Sequence, residues 1–519
     1  MTTTVQYCID AVERLPDSEG IHLRGWLLGQ SPLHCLVFEQ QDGRAHTIFI
    51  DQNRPDLQIA FPHILHAQNS GFCAILDIKN SDTQGHLWLG FQSGVWARIP
   101  VSFAERTPIT IQIQPEQWIH SDALPEAINE AVKRSDDLEE QFRLSFAAGR
   151  KLTLRLDLIN KCNLRCVFCH YSKDDVFFRP AKNISPEQFK AIYQSLAPLV
   201  GDIMLSCADE PLASKNFSEI LAYLRNGNPR LVIKFCTNAM LMTALIRRVL
   251  VQQQVNQILF SFDGVAKTTL ESIRKGSKFE RVVGNIFALK HLRDRVGTGR
   301  PDFVFNYVMM VQNLHESVAF VNIAKSLGAS AIDYRHIVEA YTGFPLSAEQ
   351  LSNQPARFNY YRERILEEGR RLGVNIYIPP PFSTENTWFP PGNEPVASMA
   401  DFDAAIQSTS DSLEEAPTSL SKIVSAVPEF LPSETTTNVF CDRPFSEITI
   451  RNQNEVLPCP WYQTPLGRLE ESAKLSDIFF GTAFSSLRQD MRQHKPGPGC
   501  IHCPIVEKKL PTNIHMSDA

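Results

Sequence analysis

The sequence predicts an α/β protein built around a partial (β/α)6 barrel, preceded by a β-rich region and followed by a cysteine-rich tail. Three observations predict it. Strand-like and helix-like apolar periods alternate from about residue 152 to residue 336. Short aromatic and β-branched runs separated by turn formers fill the first 120 or so residues. From 439 onward a hairpin pattern is combined with four cysteines.

The chain has 519 residues, too many for one hydrophobic core. Hydrophobic residues make up 43%, charged residues 21%, and the formal net charge is −6, which argues against nucleic-acid binding by bulk charge. The N-terminus MTTTVQYCIDAVERL has no basic segment followed by an apolar run, and no apolar stretch is long enough to span a bilayer. The expectation is a cytoplasmic protein without a membrane span. Twelve cysteines in such a chain point to metal ligands or buried thiols rather than disulfides. Cys8, Cys35 and Cys73 stand apart from the rest.

Taken in order, IHLRGWLLG, HCLVFEQ, HTIFI, FCAILDI and HLWLGF read as strands of a small β-sandwich-like domain over 1–125, with turns at Asp17, Gly20, Asp42 and Gly43. A helical connector occupies 126–150. The barrel is expected over 151–345. LTLRLDLI is its first strand, and Ser185 and Pro186 begin a helix with Phe189, Ile192, Tyr193 and Leu196 on one face. DIMLS, LVIKF, QILFSFD, FVFNYVMM and AIDYRHI follow as strands, with helices between them. Strand-then-helix alternation means a parallel sheet, and six units suit a partial barrel. Residues 346–438 read as a helix from about Arg357 to Leu372, an IYIP strand and a Pro/Ser-rich linker. Residues 439–519 hold a hairpin turning at Asn452 to Asn454, a helix near Thr482 to Arg492, and a closing PGPGCIHCP.

Three cysteines stand in KCNLRCVFCH, directly after the first barrel strand, where barrel enzymes build active sites. Cys162, Cys166 and Cys169 are one ligand short of a tetrahedral zinc site, and three thiolates on a cubane iron–sulfur cluster leave one iron open. A zinc site completed by a distant ligand such as His170, or simple buried thiols, would also fit the spacing.

CNLRCVFC, with Phe168 before its last cysteine, resembles the signature of the radical S-adenosylmethionine (SAM) enzymes. Further segments follow in that family's order. LSCADEPL at 205–212 resembles its Gly-Gly-Glu-Pro segment, with Ala208 and Asp209 at the glycine positions; Asp tolerates left-handed dihedrals, so a turn there remains available. CTNAMLM at 236–242 resembles its Thr-Asn-Gly segment, and SFDG at 261–264 its Ser-x-Asp pattern. The resemblance implies a 4Fe-4S cluster on the three cysteines, whose open iron chelates SAM. It also implies SAM contacts at Phe168, Glu210 (ammonium), Ser261 and Asp263 (ribose) and Arg274 (carboxylate). Arg274 reads equally well as a solvated cation at a helix end.

Cys441, Cys459, Cys500 and Cys503 form a second set. Their context, from Cys-Asp-Arg-Pro through LPCPW and PLGRL to CxxC, resembles the SPASM or twitch extension of radical SAM enzymes. That implies one fully ligated auxiliary 4Fe-4S cluster, although a four-cysteine zinc site has the same spacing. Cys207 and Cys236, at strand ends, are candidate hydrogen-atom donors; the alternative is a buried apolar thiol. Tyr334, Arg335 and His336 are candidate substrate contacts, and Asn306 and Asn313 are further ones. No catalytic residue is assigned.

The expected function is a radical SAM oxidoreductase or maturase that takes a hydrogen atom from a small-molecule or peptide substrate. Its one-electron reductant would be a flavodoxin or ferredoxin. The N-terminal RGWLLG, NRPDL and SGFCAILDI resemble a module appended to bacterial surface-glycan biosynthesis proteins, which leans the substrate towards a sugar pathway. The alternative is a non-catalytic iron–sulfur or zinc scaffold, motivated by the departures in LSCADEPL and CTNAM.

Overall fold

The computed structural model describes residues 3–14, 21–29, 33–52, 57, 60–61, 71–76, 84–91, 95–104, 107–136, 142, 146, 150–337, 345–384, 386–391, 397–410, 441–451, 454–462, 464–469, 474–492, 495, 498–500 and 503. The chain divides into two compact units. One comprises Met1–Lys151, Phe430–Ser446 and Phe480–Pro498; the other comprises Leu152–Glu429, Glu447–Phe479 and Gly499–Ala519.

The first unit is an antiparallel sheet. Its strands are β1 (Thr3–Arg14), β2 (Ile21–Gly29), β3 (Leu33–Gln40), β4 (Ala45–Gln52), β5 (Gly71–Leu76), β6 (Gln84–Phe91), β7 (Val95–Ser102), β8 (Ile109–Ile113) and β9 (Trp118–His120). They lie in the order β8-β1-β2-β5-β4-β3-β6-β7-β9. β4 pairs with β3 and, with an irregularity between Phe49 and Gln52, with β5, which links the two halves of the strand order. Alternate residues Val5, Tyr7, Leu36, Phe38, Leu87 and Leu89 meet in one apolar core, as period-2 patterning dictates. Gly25 is required by close approach, since a Cβ there would lie 2.3 Å from the Cys8 carbonyl oxygen. The helix Glu126–Asp136 adds Ile128 and Ala131 to Val37, Trp88 and Trp96. Cys8 is buried; the side chains of Cys35 and Cys73 lie outside the described residues. The later segments contribute the helix Thr482–Arg492. Its buried Arg488 donates to the Pro444 carbonyl at 3.3 Å, with the guanidinium 4.3 Å from the Phe142 ring centroid.

The second unit is the expected strand–helix alternation. Its strands are β10 (Leu152–Leu156), β11 (Val200–Met204), β12 (Val232–Thr237), β13 (Gln257–Ser261), β14 (Asp302–Met309), β15 (Ala331–His336), β16 (Asn375–Tyr377), β17 (Glu447–Arg451), β18 (Glu455–Leu457) and β19 (Gly467–Arg468). The sheet order is β16-β15-β14-β13-β12-β11-β10-β17-β18-β19, parallel from β16 through β17. Helices Pro186–Gln194, Phe217–Gly227, Ala244–Gln252, Phe279–Val296, Ser317–Ser326 and Pro355–Leu372 follow successive strands from β10 to β15. Ser185 caps the first of them, its Oγ accepting from the Gln188 amide at 3.2 Å.

Alternation divides the sheet into two faces. Phe235, Phe260 and Phe305 are fully buried, with Phe235 against Phe217 and Phe305 against Phe320 of the covering helices. Their neighbours Cys236, Ser261 and Asn306 therefore occupy the other face, which the described helices leave uncovered.

Two features add to the expectation. Within the region from 439 onward, β17 pairs in parallel with β10 and continues the sheet. The expected linker contains a helix, Ala400–Ser410, with Phe402 and Ala405 buried. It packs on the helix Phe279–Val296, where a Cβ on Gly284 would lie 2.7 Å from Thr409 Oγ1. The rest of the expected linker, 411–438, lies outside the described residues. Among the described residues no helix is long and apolar enough to cross a membrane.

Candidate functional site

The segments singled out in the sequence converge at the C-terminal ends of β10 to β14. Asp157, one residue beyond β10, is buried, and its Oδ1 accepts the amides of Cys207, Ala208 and Asp209 at 2.6, 3.2 and 3.4 Å. That explains how ADEP turns without glycine. The positive-φ residues other than glycine, among those described, are Ala239, Gln254 and Asn454, so the left-handed turn expected at Asp209 is not used. Three amides gathered on one carboxylate hold the loop instead. Ala239 (φ 60°) does take the conformation for which the resembling segment uses glycine.

Asp209 is engaged elsewhere. Its carboxylate accepts from the Tyr171 hydroxyl, and Arg179 Nη2 reaches that hydroxyl at 2.8 Å and Asp209 Oδ1 at 3.4 Å. The loop after β11 is thereby tied to the end of the cysteine segment. Burial, and then the neighbouring Asp209 carboxylate, push the Tyr171 phenol well above its ordinary range.

Glu210 connects three loops. Its amide donates to the Lys161 carbonyl at 3.0 Å. Its Oε1 accepts from the Leu212 amide (3.2 Å) and Thr237 Oγ1 (2.7 Å), and its Oε2 accepts from the Asn238 amide (2.9 Å). Burial raises this carboxyl to about 7, against the lowering effect of those donors.

Of the three thiols, Cys166 is buried and Cys162 and Cys169 are partly buried. Burial raises all three, Cys166 to about 12, and the other members of the trio add to the rise at Cys162. Groups that favour a charged sulfur face them. The Leu164 amide lies 3.4 Å and Asn238 Nδ2 3.8 Å from Cys162 Sγ, and Arg274 Nη1 lies 3.8 Å from Cys166 Sγ. Among the described residues no three His, Cys, Asp or Glu side chains are packed closely enough to hold a single metal ion. The donor set fits a thiolate-ligated cluster: soft sulfurs bound to different irons, with N–H groups directed at them. His170, the fourth ligand of the zinc alternative, has Nδ1 3.7 Å from Cys169 Sγ and its ring lies 4.5 Å from that of Tyr171, tilted by 38°. Burial, and then Arg179, lower it to about 4.

Asp263 and Arg274 form the buried centre. Arg274 Nη2 meets Asp263 Oδ2 at 2.7 Å, and the Val308 amide donates to Asp263 Oδ1 at 2.7 Å. Asp263 is 0% exposed, and its carboxylate orients Arg274. Arg274 is likewise not a solvated helix-end cation. Its guanidinium lies 5.5 Å from the Phe168 ring centroid, between that ring and Cys166. Ser261 is partly buried, with Oγ 3.3 Å from Cys236 Sγ, and Asn306 Nδ2 lies 3.6 Å from the same sulfur.

The candidates for substrate separate. Cys236, Ser261 and Asn306 form one cluster on the uncovered face, and Cys207 lies on the Asp157 loop. Arg335 is exposed and paired with Asp333, while the His336 ring packs between Phe358 (4.9 Å) and Phe382 (5.2 Å). Tyr334 is buried against the helices, donating to the Ser317 carbonyl at 2.6 Å, and Asn313 is fully buried, bracing Asp263; neither faces the open side. Cys459, Cys500 and Cys503 are buried in the second unit; Cys441 is buried in the first.

Sequence reading missed the polar floor of the sheet. Arg155 pairs with Glu447 at 2.7 Å, Lys234 pairs with Asp202, and Gln257 donates to Asp302 at 3.3 Å, on the same face as Cys236 and Ser261. The signal is present in LTLRL, DIM, VIKF and QILFS, each of which places at least one polar residue at an inward position.

The chain is similar to several known proteins. The family model described as Radical SAM superfamily matches residues 156–318. The Fe-coproporphyrin III synthase of Methanosarcina barkeri is 24% identical over 229 residues, 44% of this chain and 54% of that protein. A probable GTP 3',8-cyclase of Methanocaldococcus jannaschii is 23% identical over 210 residues, 40% of this chain and 67% of that protein. The chain thus spans 54% and 67% of the length of these curated relatives. Among solved structures, Streptococcus suis SuiB bound to S-adenosylmethionine superposes with a TM-score of 0.48 and 14% identity, covering 74% of this chain and 76% of that one. The family match begins at the last residue of β10 and ends in the helix after β14, enclosing the cysteine trio, Glu210, Ser261 and the Asp263–Arg274 pair; the chain carries a radical SAM superfamily domain.

Proposed function

We propose that this protein is a radical SAM enzyme acting on a polar substrate held over the uncovered face of the parallel sheet. When bound, a 4Fe-4S cluster and SAM supply one-electron cleavage of SAM to a 5′-deoxyadenosyl radical, which abstracts a hydrogen atom. Cys162, Cys166 and Cys169 would ligate the cluster. Leu164, Asn238 and Arg274 direct N–H groups at two of the sulfurs, which steadies their negative charge. Ser261, with Phe168 and Glu210, would contact SAM; Asp263 holds Arg274 in place; Asp157 and Asp209 hold the ADEP loop. The observation that carries the reading is this network, in which five segments separated in sequence share consecutive hydrogen bonds from Lys161 to Arg274.

The polar floor favours a substrate rich in hydroxyl or charged groups, of a small-molecule or peptide kind, because an apolar ligand would take the partly buried Arg155–Glu447 and Lys234–Asp202 pairs out of water without offering them a hydrogen bond. The finer architecture, a partial (β/α)6 barrel closed by a SPASM or twitch-type extension, belongs to the same proposal. The auxiliary cluster on Cys441, Cys459, Cys500 and Cys503 rests on sequence resemblance.

The test is anaerobic reconstitution, reduction with dithionite in the presence of SAM, and chromatographic detection of 5′-deoxyadenosine. Its formation is expected. Intact clusters that yield none would overturn the enzyme reading in favour of an iron–sulfur scaffold. That second reading has one observation behind it: Asp263 and Glu210 already have protein partners.

A further inference from the structure

Along β10 to β15, the cations that alternation places on the uncovered face are Arg155, Lys234 and Arg335. The first two are fully engaged. Arg155 meets Glu447 at 2.7 Å and Lys234 meets Asp202, each carboxylate coming from a neighbouring strand, and both cations are only 26% exposed. Arg335 differs. Its side chain is 54% exposed, and the carboxylate it meets, Asp333, lies two residues back on its own strand. Arg335 Nε (2.8 Å) and Nη2 both donate to one oxygen, Asp333 Oδ2. That fixes one side of the planar guanidinium. Among the described residues Nη1 has no partner, so the outer edge formed by Nη1 and Nη2 stands open.

Strand register relates this edge to the rest of the site. Ser261 lies opposite Asn306, Asn306 opposite Asp333, and Val308 opposite Arg335. Two strand spacings, about 10 Å, therefore separate the Arg335 strand from the Ser261 strand. Between them, Asn306 Oδ1 is buried without a hydrogen-bond partner, while Nδ2 of the same amide lies 3.6 Å from Cys236 Sγ. A buried acceptor left unpaired is destabilising, and here it points to a donor that arrives with a ligand.

We infer that Arg335 anchors an oxyanion of the substrate, a carboxylate or phosphate group, while Asn306 Oδ1 accepts from a hydroxyl or N–H of the same molecule. The inference rests on the proposed function, which puts SAM at Ser261, and it narrows the polar substrate to an anionic one. An open guanidinium edge presents two parallel N–H donors, which match two oxygens of a carboxylate or phosphate in a charge-assisted pair. Asp333 holds the guanidinium plane, so less side-chain freedom is lost when the anion arrives. A neutral sugar would leave this edge unused, and an amine would be repelled by it.

The experiment uses the anaerobically reconstituted full chain with SAM. Phenylglyoxal modification of individual arginines is followed by peptide mass spectrometry in chloride, acetate or inorganic phosphate at equal ionic strength. Arg371, 60% exposed and paired with Glu368 on a helix, is the matched control. At about 20 mM, an anion with a Kd of roughly 10 mM should slow modification of Arg335 about threefold and leave Arg371 at its chloride rate. Slowing by phosphate alone would assign a phosphorylated substrate, and slowing by acetate a carboxylated one. Glycerol 3-phosphate, which adds hydroxyl groups, should protect better than inorganic phosphate in wild type and no better in Asn306→Leu. Equal protection of Arg335 and Arg371, or protection of Arg335 by neither anion, would overturn the inference; equal protection by the two phosphates in wild type would remove Asn306 from the site. A wild type that makes no 5′-deoxyadenosine with dithionite would count against the proposed function alone, since protection of Arg335 still tests the anchor.

Discussion

The two sheets of this chain bury opposite kinds of side chain. Along β1 to β9, Gln40 is the sole buried polar side chain among the described residues, and the core is aliphatic and aromatic. Around β10 to β15 the buried set includes Asp157, Glu210, Asp263, Arg274 and Glu316. Burying ionised groups costs several kcal/mol each unless they are paired and hydrogen-bonded, and well-packed apolar residues would stabilise the fold at least as well. A sheet built only for stability looks like the first. The second keeps charges where a reaction would use them, and surrounds each with partners.

The largest contrast should come from the thiols. Replacing Cys162, Cys166 and Cys169 together by alanine should reduce 5′-deoxyadenosine to background and remove about four irons per chain, with the far-ultraviolet circular dichroism retained. Retained SAM cleavage would place the chemistry elsewhere. Next, Arg274→Ala leaves Asp263 buried without its cation and should cost about 3–5 kcal/mol in urea unfolding. A double variant with Asp263→Leu and Arg274→Met should recover most of that loss without recovering activity, whereas an equally unstable double variant would mean that packing, not charge, is what Arg274 supplies.

Glu210 sharpens the comparison through pH. Burial raises its carboxyl to about 7 in the fold, against about 4.3 in an unfolded chain. The folded state therefore holds a proton that the unfolded state has released between those values. The stability it contributes is fully present below about pH 4.3 and is lost as pH rises through 7, a change on the order of 3 kcal/mol. In apoprotein, Glu210→Gln should flatten the fall in urea midpoint between pH 6 and pH 8. A wild-type midpoint that rises over that interval would contradict the direction. The smallest effect belongs to the helix Pro186–Gln194: Ser185→Ala removes its cap and should cost about 1 kcal/mol without altering SAM cleavage per folded molecule.

Much of this was legible in the chain. The strand–helix alternation was readable because period 2 and period 3.6 leave distinct marks, and Ser185-Pro186 announced a helix start that the structure keeps. The cysteine trio and the order of the downstream segments pointed to the correct end of the sheet. What stayed hidden was non-local. Nothing in SFDG says that Asp263 pairs with Arg274, because that depends on the loop eleven residues later folding back. Nothing in LTLRL announces β17 as its neighbour, and SMADFDAAIQSTS sits among prolines that obscured a helix.

The pairing of β10 with β17 also has a consequence in time. Leu154 faces Ile448, about 300 residues further along, so the first strand leaves the ribosome long before its neighbour on that side exists. At about 5–20 residues per second, an apolar strand edge beside the cysteine loop stays unpaired for roughly 15–60 s during synthesis. Such an edge invites pairing with other nascent chains. A holdase chaperone bound to residues 152–156 until Glu447–Arg451 emerges would protect it, and a message truncated ahead of Glu447 should yield aggregates rather than a smaller soluble protein.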